Sequence, residues 1–257
     1  MFINNFDPVA FEVFSLEIRW YSLAYIFGIV LGWIYCKKKL IKDPIVRDLF
    51  DDFITYLIIG IILGGRIGYA LFYNFSYYIN NPLEILMVWN GGMSFHGGLI
   101  GVILSCLIFG KKHKINSFIF LDLVALSAPI GIFFGRIANF INGELVGKIT
   151  TVPWSVVFPS IDMAARHPSQ IYEAFFEGII LFFILNYLFR RRYIVTPGKL
   201  SALFLIFYSL FRYSLEFFRV PDPQIGFLFL NSTLGQIISL LFFVIGVLLF
   251  YLKKNEN

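Results

Sequence analysis

Charge is what this chain has least of. Only 14% of its 257 residues are Asp, Glu, Lys or Arg, against roughly a quarter in soluble domains. Whole windows are apolar on every side, which a water-soluble helix bundle does not tolerate. Cysteine is nearly absent too. Cys36 and Cys106 both lie in apolar sequence with no CxxC and no histidine nearby. They read as packing residues, and neither a disulfide framework nor a metal site is expected. No Walker loop, HExxH helix or GxSxG elbow occurs, so nucleotide hydrolysis, zinc proteolysis and serine acyl transfer lose their usual supports. The net charge of +5 does not make a nucleic-acid binder either. The bases fall in short clusters between apolar runs, with no basic stripe or RNA-binding motif. A basic n-region with a small-residue cleavage site is also missing, so no cleavable signal peptide is expected.

What is present is hydrocarbon. The chain is 58% hydrophobic, with a mean hydropathy of +0.78. A membrane span needs about 20 apolar residues, and seven candidates appear: Ile18 to Cys36, Phe53 to Tyr73, Phe95 to Phe109, Phe118 to Ile137, Ile171 to Phe189, Leu200 to Phe218 and Leu234 to Leu252. The third is short and follows the glycine-rich "NGGMSFHGG", so a broken or re-entrant segment is expected there. The fold class is all-α: a polytopic membrane bundle, one domain over 1–257, with an outer-side loop region at about 138–168.

The positive-inside rule orients the bundle. Loops "KKKLIKDPIVR", "KKHK" and "RRRYIVTPGK" and the tail "KK" hold 14 of the 21 Lys and Arg, all on one side if the spans alternate. The residues before Ile18 carry Asp7, Glu12 and Glu17 and no base. An outer amino terminus and a cytoplasmic carboxyl terminus follow. Seven bases break the trend: Arg19, Arg66, Arg136, Lys148, Arg166, Arg212 and Arg219. A charge placed against topology inside apolar sequence is costly without a partner or a task.

Most of these bases stand in polar clusters. "GRIANFINGELVG" closes the fourth span and sets Arg136 three residues from Asn139, on one helical face. Gly143 and Gly147 then allow turns that put Asn142 and Glu144 on a short outer loop. A lone arginine there would be read as snorkelling to headgroups; Asn, Asn and Glu within nine residues favour a site. Span six places Tyr208, Arg212, Glu216 and Arg219 on one stripe. An Arg212–Glu216 bridge would fix packing and still leave guanidinium protons for a ligand. "GGRIGYALFYN" gives Gly64 and Gly68, a close-packing pair, with Arg66 between them as either a bridge partner or a headgroup contact. His96 stands between two glycine pairs and is the side chain best suited to take a proton near neutral pH. Glu173 and Glu177 form a like-charged i,i+4 pair that needs arginines nearby, and Arg66 or Arg166 are the expected partners.

Arginines gathered in the outer half of a bundle beside Tyr, Asn and His suit a phosphate-bearing lipid, because guanidinium binds phosphate bidentately and stays charged when desolvated. The residues alone point to a membrane enzyme or a transporter for an anionic lipid. A transporter or flippase would be expected to show internal repeats with paired broken helices, and no half-to-half repeat is visible.

Five blocks, "GGRIGYALFYN", "WNGGMSFHGGLIG", "GRIANFINGELVG", "RHPSQIYE" and "FRYSLEFFRVPD", occur in an order that resembles the bacterial prolipoprotein diacylglyceryl transferases, and the third carries that family's signature string. The resemblance covers essentially the whole chain, with a shorter segment between Lys148 and His167 than in some members. It implies transfer of the diacylglyceryl group of phosphatidylglycerol to a prolipoprotein lipobox cysteine in the bacterial inner membrane, with no cofactor, metal or nucleic acid. It further implies phosphatidylglycerol contacts from Arg136, Asn139, Asn142, Glu144, Gly147 and Arg212. The catalytic set it implies is His96, Arg136, Arg212, Tyr21 and Tyr208, supported by Arg66, Glu216 and Arg219.

Overall fold

The computed structural model describes residues 2–14, 16–191, 196–221, 226–228 and 231–253. Arg192 and Lys254, used above for orientation, lie outside the described residues, as does Asp222 of the fifth block. Along the chain come β1 (Phe2–Ile3), β2 (Val9–Val13), β3 (Leu16–Arg19), α1 (Trp20–Tyr35), a π-helical turn Cys36–Leu40, α2 (Pro44–Phe72), α3 (Phe75–Asn80), α4 (Phe95–His113) and α5 (Ser117–Asn142). Then follow β4 (Val156–Val157), β5 (Ala165–Arg166), α6 (Ser169–Glu173), a π-helical stretch Ala174–Ile180, α7 (Leu181–Arg190), α8 (Lys199–Leu215), a 3₁₀ turn Glu216–Phe218 and α9 (Leu234–Leu252).

Among the described residues, six helical segments are long and apolar enough to cross a membrane: α2, α4, α5, the continuous Ser169–Arg190 helix, Lys199–Phe218 and α9. In α9 only 17% of the apolar window is covered by protein. Leu240, Leu241, Val244, Ile245 and Leu248 project outward, a surface that lipid tails cover and water would not. The chain is a multi-pass helical membrane protein. Three expectations need correction. The third span is one unbroken 19-residue helix, because Ser94 caps it by accepting from the Gly97 amide. The bend falls earlier, at Gly91 and Gly92, which take positive φ angles of 76° and 80°. The fourth span runs on to Asn142, so Asn139 shares the helix with Arg136 as expected, but Asn142 is helical too and does not lie on the outer loop. The all-α reading also overlooked two small sheets among the described residues, β1–β4–β5 and the β2–β3 hairpin; the strands of the first are two residues long and leave almost no period to detect.

The chain divides into two units, Met1–Tyr35 with Val124–Asn257, and Cys36–Leu123. In the second, α2 packs against α4 through the expected glycines. A Cβ on Gly97 would lie 2.2 Å from the Gly64 carbonyl oxygen and 2.9 Å from the Gly68 Cα, so the helices meet backbone to backbone. Phe50, Phe53, Phe109 and Phe120 fill its core, with the Phe53 and Phe120 rings 4.7 Å apart. Asp43 caps α2 by accepting from the Ile45 and Val46 amides, with Pro44 in the first turn, where its missing N–H is no loss. In the first unit α8 packs against α9. Cys36 and Cys106 are both buried, and the Cys36 thiol donates to the Leu123 carbonyl at 3.6 Å, as suits packing residues.

Candidate active site

The first unit buries a network of charges. From α5, Arg136 sends Nε to Glu173 Oε2 at 3.1 Å and Nη2 to Glu177 Oε2 at 3.1 Å. From α8, Arg212 sends Nη1 to Glu173 Oε1 at 3.0 Å and Nη2 to Glu216 Oε2 at 2.6 Å. Arg219, just past the 3₁₀ turn, sends Nη1 to Glu173 Oε1 at 3.3 Å. Glu216 also accepts from the Thr233 hydroxyl at 2.9 Å. That same Thr233 caps α9 in a reciprocal box with Gln236, so the start of α9 is tied to the network. Three guanidiniums therefore balance three carboxylates. Glu173 and Glu177 are 0% exposed, while the arginine side chains keep 13–16% of their surface open. Buried ions at this depth survive only when paired and hydrogen-bonded.

Local sequence explains why the network forms. Glu173 ends α6 and Glu177 falls in the π-helical stretch Ala174–Ile180; π-turns widen a helix and recur at functional sites. Arg212 and Glu216 sit four apart on one helical stripe, as the sequence predicted. Tyr208, one turn before Arg212, stacks its ring on Phe204 at 5.6 Å and feels the charges of Glu177, Arg136, Arg212 and Glu173.

The signature loop is held by side-chain hydrogen bonds. Asn139 Nδ2 donates to Glu144 Oε2 at 3.1 Å, and Asn142 Nδ2 donates to Glu144 Oε1 at 3.2 Å. Gln170 Nε2 donates to the Glu144 carbonyl at 2.5 Å, and Ser169 Oγ to the Leu145 carbonyl at 2.9 Å. Gly143 turns the chain at φ 67°. Gly147 is required by contact: a Cβ there would lie 2.3 Å from the His167 carbonyl oxygen. Arg166 pairs with Asp162 and donates to the Gly147 carbonyl at 3.1 Å. The hydrogen bonds that Arg166 donates to Asp162 hold its carboxyl below its ordinary range, and burial lowers His167.

This chain belongs to the prolipoprotein diacylglyceryl transferase family. The family's model matches residues 8–252. The chain is 52% identical over 252 residues to the phosphatidylglycerol–prolipoprotein diacylglyceryl transferase of Rickettsia bellii, covering 97% of this chain and 96% of that one. The enzymes of the same name from Rickettsia felis and Rickettsia typhi are 49% and 50% identical over 249 residues, each with 96% of both chains covered. As a member of this family the chain is a membrane transferase.

Within that family frame, the structure gathers Arg136, Arg212, Arg219, Glu216 and Tyr208 around one network, and joins Asn139 and Asn142 at the end of α5 to Glu144 in the loop that follows. It places others elsewhere. Tyr21, in the first turn of α1, has its ring edge-on to Tyr25 at 5.2 Å. His96, in the second unit, is half-buried in the first turn of α4, edge-on to Phe95 at 5.5 Å.

Arg66 needs a correction. It is 2% exposed and is neither bridged to a glutamate nor open to headgroups. It donates to the carbonyls of Ile85, Glu84 and Met87 at 2.9, 2.7 and 2.9 Å and to that of Gly91, with its guanidinium 5.2 Å from the Tyr78 ring centroid. A planar fork of five donors is suited to collecting carbonyls, and here it pins the segment between α3 and α4. The partners of Glu173 and Glu177 change accordingly: Arg136, Arg212 and Arg219, not Arg66 or Arg166. The sequence signalled that the pair needed arginines but not which, because helix neighbours across a bundle leave no spacing rule. Gln170 and Thr233 were missed. A buried Gln three residues before Glu173, on the same face, was the available clue.

Proposed function

We propose that this chain moves the diacylglyceryl group of phosphatidylglycerol onto the lipobox cysteine thiol of a prolipoprotein, forming a thioether and releasing glycerol phosphate. The buried network centred on Glu173 carries this reading: three arginines are held rigid by carboxylates, each with side-chain surface still open. Arg136 and Arg212 bind the phosphate and stabilise charge as it develops on the leaving group, in a site poor in water. Asn139, Asn142 and Glu144, with Gly147 keeping the backbone close, frame the headgroup. Arg219 and Glu216 keep the phosphate-binding arginines in place.

The substrate thiol attacks the glycerol carbon, the S–C bond forms, and the C–O bond to phosphate breaks. A thiol with a pKa near about 8.5 needs a base at neutral pH, and we assign that role to His96, with Tyr21 and Tyr208 as hydrogen-bonding groups. No covalent enzyme intermediate is required.

The finer topology belongs to the same proposal. Ile18–Cys36 acts as a seventh span, with the amino terminus and the loop from Gly143 to about residue 168 outside and the carboxyl terminus cytoplasmic. The whole chain then works as one domain in the bacterial inner membrane. The clustering of lysine and arginine on one side supports this. The reaction is tested with headgroup-labelled phosphatidylglycerol. Purified protein should release glycerol phosphate only when a lipobox peptide is present, and not with its Cys-to-Ser form; release independent of the thiol would make the chain a lipid hydrolase.

A further inference from the structure

Glu177 is the odd member of the buried network. Glu173 receives three arginines and Glu216 receives Arg212 and Thr233. Glu177 receives only Arg136, on Oε2. Its Oε1 is buried and bonded to nothing among the described residues. An ionised carboxylate oxygen without a donor, at 0% exposure, is costly to maintain. The groups around it are Arg136 from α5, Arg212 and Tyr208 from α8, and Glu173 on its own helix.

The network is balanced as it stands, three positive charges to three negative. A phosphodiester settling on the arginines adds one negative charge that the bundle does not neutralise, in surroundings where an uncompensated charge is penalised heavily. One proton restores the balance. Protonating Glu173 would cost three ion pairs, and protonating Glu216 two contacts; Glu177 offers an oxygen with nothing to lose. We propose that Glu177 takes up a proton when an anionic headgroup binds the arginines, and so sets the charge that lets this site hold an anion. This rests on the reading that Arg136 and Arg212 bind the phosphate. Glu177 is then a positioning residue that acts through Arg136: once neutral, it releases part of that guanidinium for the ligand.

The test is calorimetric titration of the full-length protein in detergent with dioctanoyl phosphatidylglycerol, in two buffers of different ionisation heat. The wild type should take up about one proton per lipid bound, and its Kd should rise by up to about tenfold per pH unit as pH increases. Glu177→Gln keeps shape and an acceptor for Arg136 but cannot titrate. It should bind without proton uptake, with a Kd that barely changes with pH and is lower than that of the wild type in alkaline buffer. Absence of uptake in the wild type overturns the proposal whatever the variant does, as does unchanged uptake in Glu177→Gln. Arg212→Gln separates the two claims. If it binds lipid as the wild type does, the arginine–phosphate reading fails. If it loses binding while Glu177→Gln retains proton uptake, only the role of Glu177 fails.

Discussion

Replacing Glu173 by Gln should do more damage than any other single isosteric change in the chain. Its two carboxylate oxygens receive Arg136 Nε at 3.1 Å, Arg212 Nη1 at 3.0 Å and Arg219 Nη1 at 3.3 Å, with no exposed surface. Glutamine turns one acceptor into a donor facing a guanidinium and leaves the network with one positive charge too many. Breaking a buried pair in this way costs about 3–5 kcal/mol. At about 2–4 °C per kcal/mol for a chain of this size, the unfolding midpoint in detergent should fall by about 6–20 °C. Charge balance can be separated from lost contact by adding Arg219→Gln. The double variant removes the surplus positive charge and should recover part of the loss, giving a non-additive cycle. A single-variant shift under about 2 °C, or strict additivity, would refute the claim that Glu173 is the electrostatic centre of the bundle.

Arg136→Lys keeps the charge but not the planar fork that spans Glu173 and Glu177; transfer should fall severely in protein that still inserts, and near-normal turnover would show that charge alone suffices. His96→Gln should lower turnover by about 10²–10⁴-fold, with partial recovery as pH approaches about 8.5, where the thiol ionises unaided; parallel pH profiles would make His96 architectural. Arg66→Met removes the carbonyl clamp but keeps apolar volume, so protease should cut between residues 81 and 93 sooner than in the wild type; unchanged cleavage kinetics would deny the clamp its role. Because burial lowers His167, its neutral form belongs to the folded state. The contribution is complete above the ordinary histidine value of about 6.5 and is lost as pH falls below it. Wild type should lose more thermal stability than His167→Gln on acidification through that window, and equal losses would refute it.

The helices were legible because apolar runs of membrane length have few other uses: the sixth and seventh expected spans end at the observed Phe218 and Leu252. The glycine pair at Gly64 and Gly68 gave a correct packing contact, since GxxxG states its geometry locally. The fate of Arg66 was not legible. Its ligands are backbone carbonyls 18 to 25 residues downstream, and a carbonyl has no sequence signature. The continuity of α4 was obscured by Gly97 and Gly98, which look like breakers, whereas Gly97 and Gly101 let the helix lie against α2. Arg212 and Glu216 were readable as a pair because they share one helix, whereas Glu173 joins three separate segments.

The most direct test of the central claim is the mass of a lipobox peptide after incubation with the protein and phosphatidylglycerol. The account predicts an increase equal to one diacylglyceryl group on the cysteine, stable to hydroxylamine because the link is a thioether. A hydroxylamine-labile fatty acyl adduct, or an unmodified peptide beside bound lipid, would contradict it.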